Sequence, residues 1–207
     1  MKQILVMMAA AVVLVGCGKD TPETSQAAEA KAQVTPAPTP EPDPVSPADE
    51  KLIADPIVEK AIRSSLKKPE GKLTEADLEK VTDLDLHNTF ITDAGLKEVV
   101  KLQQLKLLDL FRTQVTDAGL KDLAKLQHLT ILILSLTNTT DAGLKDVAKL
   151  QKLTRLALED THISDASLKN LVKLKRLESL WLYDTNVTKA GAAELQKALP
   201  NCEIVGP

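Results

Sequence analysis

Three aspartates have the residue type and spacing that acid–base chemistry or cation binding requires. Asp83 and Asp85 are two residues apart, and Asp109 follows 24 residues after Asp85. Residues two apart in a strand share one face, so these carboxylates would lie close together. A carboxylate pair can transfer a proton or bind a metal ion. No further ligand set, glycine-rich site or phosphate loop accompanies them, so we expect no enzyme activity, no metal and no cofactor.

The histidines and the scarce aromatic residues are the other groups with possible chemistry. His87, His128 and His162 are not predicted to converge on a nucleophile or a metal ion, and we interpret each as a solvated polar residue. Trp181 and Tyr183 are two residues apart, which in a strand puts them on one face, roughly 7 Å from each other. Exposed aromatics of this kind anchor protein interfaces and could also stack on a sugar ring.

A sequence repeat with a period of 24 residues determines where these side chains lie. Each repeat has a first block of the form Leu-x-Leu-x-x-Thr and a second block close to Thr-Asp-Ala-Gly-Leu. The first blocks begin at Leu84, Leu108, Leu132, Leu156 and Leu180. Repeats of this length are typical of solenoids. The pattern resembles the leucine-rich repeat family, which implies an α/β horseshoe with parallel strands on its concave face and helices on its convex face.

Alternation within each first block predicts a strand whose leucines point inward, while the residues between them lie on the concave face. The threonine that ends each block stands where this family commonly has asparagine, and its hydroxyl is expected to hydrogen-bond the turning backbone. These threonines are Thr89, Thr113, Thr137, Thr161 and Thr185. Each convex helix is expected to gain stability from an Asp–Lys pair four residues apart. The predicted pairs are Asp93–Lys97, Asp117–Lys121, Asp141–Lys145 and Asp165–Lys169.

The concave face is the default binding surface of a curved solenoid. Its candidate binding residues are charged, aromatic or apolar side chains that the leucine core does not need. They are Asp85, Asp109, Phe111, Arg112, Ile131, Ile133, Arg155, Glu159, Trp181 and Tyr183. We expect another protein as the partner, with the aromatic and isoleucine side chains as anchors and the charged ones giving orientation.

Two alternatives to protein recognition stay open. The third repeat is apolar from Ile131 to Leu136, apart from Ser135, and together with Leu107 and Phe111 it predicts an exposed apolar patch. Such a patch could bind a partner, or it could join copies of a passive structural protein of the cell envelope. A glycan bound by the aromatic pair is the other alternative. A monomer is the expected state.

Composition argues against recruitment of a nucleic acid. The net charge is −3 over 207 residues, which gives no strong field. One lysine per repeat forms a column along the convex helices, but neighbouring acids dilute its charge and no aromatic residues for base stacking stand there. The column comprises Lys101, Lys125, Lys149, Lys173 and Lys197. We interpret it as a solvated helix face.

The first 16 residues are typical of a secretory signal. Lys2 supplies the positive start, and residues 4–15 form an apolar run too short to span a bilayer as a helix. The run ends in Leu14-Val15-Gly16-Cys17, which looks like the cleavage box of bacterial lipoproteins. That resemblance implies a lipid on the Cys17 thiol and an extracytoplasmic protein anchored to a membrane of the cell envelope. Gly18 after the cysteine favours the outer membrane if the envelope is Gram-negative.

The chain has one other cysteine, Cys202. Lipidation of Cys17 would leave no partner for a disulfide within the chain. We interpret Cys202 as a small, partly buried residue, and an exposed reactive thiol is the alternative.

The chain is predicted to have four segments. Residues 1–16 are the signal peptide, and residues 17–49 hold the lipidated cysteine and a tether whose alternating prolines exclude a helix. Residues 50–80 form a helical cap, which resembles the one that precedes internalin-like repeat arrays of bacteria and shields the first apolar edge. Residues 81–207 form the repeat domain, with five repeats and a C-terminal edge strand. The whole chain therefore resembles a bacterial leucine-rich repeat lipoprotein.

Overall fold

The computed structural model describes residues 51–207, which lie within one compact unit. The predicted signal peptide, Cys17 and almost all of the tether fall outside the described residues. None of the helices in residues 51–207 is long and apolar enough to cross a membrane.

The cap consists of two helices, α1 (Pro56–Ser65) and α2 (Glu75–Leu78). Asp55 begins α1 as its sequence predicts, because its Oδ1 accepts hydrogen bonds from the backbone N–H groups of Ile57 at 2.8 Å and Val58 at 3.1 Å. A reciprocal capping box between Thr74 and Asp77 begins α2. The cap thus closes the first repeat with well-terminated helices.

Six parallel strands form one sheet in the order of the sequence. They are β1 (Asp83–Asp85), β2 (Leu107–Asp109), β3 (Ile131–Ile133), β4 (Arg155–Ala157), β5 (Ser179–Trp181) and β6 (Glu203–Val205). The central residues of β1 to β5 pair in register, one leucine per strand, and all five leucines are fully buried. The last strand, β6, pairs with β5 as expected from the sequence.

One helix follows each of the first five strands. These helices are α3 (Asp93–Val99), α4 (Asp117–Leu123), α5 (Leu144–Val147), α6 (Asp165–Leu171) and α7 (Lys189–Ala198). Their leucines and valines join the strand leucines in one continuous core. The third repeat differs, because its helix begins at Leu144, three residues later than the equivalent helices, after a turn.

The threonine hydroxyls bond the backbone as predicted. In every repeat the Oγ1 of the threonine donates to the carbonyl oxygen three residues earlier, from Thr89 to Leu86 in the first and from Thr185 to Leu182 in the fifth. Thr113, Thr137 and Thr161 are buried, so each bond satisfies a hydroxyl that water cannot reach.

The predicted Asp–Lys pairs four residues apart do not form. The aspartates instead bond the next repeat, as Asp93 does by accepting from the backbone N–H and the hydroxyl of Thr116, at 2.9 and 2.6 Å. The prediction was wrong because it considered each helix alone, whereas adjacent repeats bring a backbone donor and a hydroxyl to each carboxylate. Three lysines pair with the acid three residues earlier, as in Lys125–Asp122 at 2.8 Å.

Candidate functional site

Strand pairing arranges the concave face in rows that run across the sheet. One row comprises Asp83, Leu107, Ile131, Arg155, Ser179 and Glu203. The next row comprises Asp85, Asp109, Ile133, Ala157, Trp181 and Val205. Neighbours within a row are one strand apart, about 4.8 Å. The second row is therefore acidic at the β1–β2 end and apolar from β3 to β6.

The apolar part of this row contains the aromatic anchor expected from the sequence. Trp181 stands at the end of β5, beside Ala157 on one side and Val205 on the other. Tyr183 follows two residues later with 49 % of its surface exposed, and Ile133 is partly exposed. These side chains form an accessible apolar surface that the core does not require.

The acidic end brings three possible metal ligands together. Asp85 and Asp109 are direct neighbours on β1 and β2, and a ligand atom of His87 lies with theirs within 4.8 Å. The imidazole Nδ1 of His87 is hydrogen-bonded to Asp85. One imidazole and two carboxylates are a donor set that Zn²⁺ accepts. The sequence did not predict this convergence, because His87 lies beyond the end of β1, where the turn sets its direction.

Charged side chains border the apolar row on both sides. Arg155 is exposed at the start of β4. Glu159 lies two residues after β4, and its Oε2 accepts a hydrogen bond from the Ser135 hydroxyl at 3.0 Å. This bond crosses from one repeat to the next and holds the carboxylate beside the apolar row. Phe111 occupies the equivalent position two residues after β2 and is partly exposed.

Arg112 is the predicted site residue that lies apart from the strands. It sits three residues after β2 in a left-handed turn, with φ of 52°. Its side chain lines a groove of about 390 Å³ together with Phe90 and Leu136. We call this the loop groove; its other lining residues are Asn88, Thr89, Thr113 and Gln114.

Phe90 is the exposed aromatic that the sequence analysis left without a role. It is 79 % exposed, more than any other large apolar residue in the described part of the chain. The equivalent positions in the other repeats hold Gln114, Asn138, His162 and Asn186. A comparison of the repeats at this position would have identified Phe90, because the fold accepts a polar residue there.

A larger cavity, of about 990 Å³, lies between α1 and the open edge of β1. Ser65 of α1 donates to the backbone oxygen of Asp83 at 2.8 Å, which satisfies part of that edge. Phe90 is on the wall of this cavity as well as of the loop groove. The two concavities are therefore neighbours, separated by one aromatic ring.

Comparison with known proteins agrees with the fold. A family model described as Leucine Rich repeat matches residues 101–124. No match is found among the curated proteins. An internalin (inlF) of Listeria monocytogenes is 20 % identical, with a TM-score of 0.56, and the match covers 75 % of this chain and 51 % of that one.

Two further solved structures are similar. Internalin C2 of Listeria monocytogenes is 23 % identical, with a TM-score of 0.49, over 74 % of this chain and 84 % of that one. A leucine-rich repeat protein of Leptospira interrogans is 25 % identical, with a TM-score of 0.46, over 62 % of this chain and 38 % of that one. The 24-residue match and the six-stranded parallel sheet identify the fold as a leucine-rich repeat solenoid.

Proposed function

We propose that this protein is a recognition module, anchored to a membrane through lipid on Cys17, whose concave face binds another protein. The observation that carries the proposal is the apolar row from Ile133 through Ala157 to Trp181, paired in register across three strands. A sheet face that only met water would gain nothing from a tryptophan there, whereas interfaces are enriched in such side chains.

The charges around the row indicate how a partner would be oriented. Asp85 and Asp109 make one end acidic, and Arg155 and Glu159 border the apolar part. Charged groups at the rim of an interface favour one orientation of the partner more than they add affinity. A partner with an apolar stripe and a basic end is the best complement.

Capture from envelope extract tests the proposal, with residues 51–207 as bait. The variant Trp181→Ala/Tyr183→Ala should lose a protein that the wild type retains. A matched control, Lys169→Ala/Lys173→Ala on the exposed side of α6, should keep it. The captured protein, once purified, should change the fluorescence of Trp181, which is the chain's single tryptophan. Equal capture by all three baits would refute recognition by the concave face.

Two other outcomes point to the alternative functions. Sedimentation of the bait as oligomers that Ile133→Asp dissociates would indicate a self-associating structural protein. A fluorescence response of Trp181 to oligosaccharides, with no protein captured, would indicate glycan binding.

The lipid anchor has its own test. Cys17→Ser should move the full-length protein from the membrane fraction to the soluble fraction and abolish incorporation of labelled palmitate. Unchanged fractionation and labelling would contradict the anchor and leave the proposal for the concave face unaffected.

A further inference from the structure

We propose that the loop groove is a second recognition site, which binds a peptide segment of a protein partner that carries a carboxylate next to an apolar side chain. The groove is independent of the concave-face proposal. Its three principal side chains come from consecutive repeats, with Phe90 from the first, Arg112 from the second and Leu136 from the third.

The repeats themselves supply the control for this inference. Positions equivalent to Leu136 hold Asn88, Arg112, Asp160 and Asp184, all of them polar. Positions equivalent to Phe90 are also polar in the other four repeats. The fold thus accepts polar residues at both positions, yet the chain places its two apolar exceptions on the walls of one groove.

Backbone conformation strengthens the argument at Leu136. All five equivalent residues have positive φ, and Leu136 has φ of 57°. Asparagine and aspartate tolerate this left-handed conformation, whereas it is unfavourable for leucine. Leu136 is also 42 % exposed, so burial does not compensate for the conformation. An unfavourable backbone conformation that presents an exposed apolar side chain is characteristic of functional surfaces.

Charge defines the other half of the ligand. Arg112 is the charged residue among those that line the groove. Within residues 51–207, its guanidinium has no carboxylate within 4.0 Å and makes no hydrogen bond, unlike Arg63, which is paired with Glu59. A guanidinium fits a carboxylate with two parallel hydrogen bonds. A carboxylate flanked by an apolar group would therefore contact Arg112 and the apolar walls at once.

The size of the groove sets the scale of the ligand. About 390 Å³ is near the lower end of the range for small-ligand sites. It accommodates two or three side chains of an extended segment and is too small for a folded surface. A protein partner would accordingly use a short acidic and apolar stretch of its chain.

Nuclear magnetic resonance with matched peptides tests the site on residues 51–207. The probes are acetyl-Leu-Glu-Leu-amide and acetyl-Phe-Glu-Phe-amide, each compared with its glutamine analogue. We expect saturable shifts of the backbone amides of Phe90, Thr113, Gln114 and Leu136. Because one charge-assisted contact is lost, the glutamine analogues should bind at least about fivefold more weakly.

Variants distinguish the site from unspecific adhesion. Arg112→Gln should abolish the difference between glutamate and glutamine peptides, and Phe90→Asn should weaken both. The control His162→Asn, at the position of Phe90 in the fourth repeat, should change nothing. Each variant is first checked for a wild-type amide spectrum outside the groove, and Arg112→Lys replaces Arg112→Gln if the latter is perturbed.

Three results would overturn the proposal. The first is the absence of saturable shifts in the groove with both glutamate peptides. The second is equal affinity for glutamate and glutamine peptides in the wild type. The third is broadening of the same amides by phosphatidylglycerol vesicles without any response to the peptides, which would make the groove a membrane contact.

Discussion

The carboxylate of Asp117 accepts two hydrogen bonds from Thr140, one from the backbone N–H at 2.9 Å and one from the hydroxyl at 2.6 Å. The two residues belong to successive repeats, so each such pair joins one repeat to the next. Equivalent pairs are Asp93–Thr116, Asp141–Ser164 and Asp165–Thr188. In the fifth repeat Lys189 replaces the aspartate, where no sixth helix-starting threonine follows. The ladder of carboxylates therefore ends where its donors end.

Asp117→Ala should destabilise the protein by about 2 kcal/mol, because two charge-assisted hydrogen bonds disappear and a partly buried N–H loses its acceptor. Unfolding of residues 51–207 in urea, followed by circular dichroism, measures the change. Lys189→Ala is the matched control, since it removes the side chain at the equivalent position outside the ladder. An equal loss of stability in both variants would mean that the aspartate acts only through its own helix.

Gly119→Ala should also be destabilising, by about 1–3 kcal/mol, because overpacking displaces well-packed neighbours. A Cβ built on Gly119 would lie 2.5 Å from the Oδ1 of Asp93 and 2.7 Å from the Cδ1 of Leu96. The ladder thus requires a glycine beneath each carboxylate, and the fourth repeat is the exception with Ser167. The urea midpoints of Gly119→Ala and Ser167→Ala decide the point. The second variant, which already has a Cβ, should change less.

Acid should weaken the ladder. Burial raises the pKa of Asp141, but hydrogen bonds from Ser164 and Ser167 outweigh burial and hold that pKa below its usual value. A carboxyl whose pKa is lower in the folded state contributes stability above its unfolded pKa, and this contribution disappears as the pH falls. Asp141→Asn should therefore be less stable than the wild type at pH 7, and the gap should narrow below about pH 4.

Urea titrations at pH 7, 5 and 3.5 measure this gap. Asp184→Asn serves as the control, because the Asp184 side chain makes no hydrogen bond within residues 51–207 and asparagine suits its left-handed turn. A gap for Asp141→Asn that stays constant over the whole pH range would contradict the assignment.

Cys202 should be unreactive in the native protein. Its side chain is 3 % exposed, and burial, with a smaller contribution from Glu203, raises the pKa of the thiol to about 11. The thiolate is the reactive form, so both burial and protonation slow attack on a disulfide reagent. Ellman's reagent at pH 8 should react slowly with residues 51–207 and rapidly in denaturant. Asn201→Cys in a Cys202→Ser background is the exposed control. Comparable native rates for the two thiols would favour the reactive-thiol alternative.

The sequence predicted the features that depend on the period of the repeat. Leucines every second residue gave the strand register, and Asp55 and Thr74 gave the starts of the cap helices. These features are local, or they repeat, so a single repeat is enough to infer them. The threonine hydroxyl bonds were predictable for the same reason, since Thr137 bonds a carbonyl three residues away.

Contacts between repeats were beyond reach. The bonds of Asp117 depend on where the next repeat packs, and the proximity of His87 to Asp85 and Asp109 depends on how the chain turns after β1. The strand rule also failed for Arg112, because the left-handed turn moves that residue from the concave face to the loop groove. Side chains after a strand need the turn geometry, which the alternation pattern does not contain.

Leu136→Asn should stabilise the protein by about 1 kcal/mol, because asparagine relieves the left-handed conformation that leucine adopts unfavourably. The reverse change, Asp160→Leu, should destabilise by a similar amount at the equivalent turn of the next repeat, where φ is 51°. Urea unfolding of both variants measures the two effects, and the peptide titration of Leu136→Asn measures the function. A more stable variant with weaker peptide binding is the expected result, since the exposed leucine would then be retained for recognition at the expense of stability. Unchanged stability in both variants would show that the turn accepts leucine freely, and the conformational argument for the loop groove would fail.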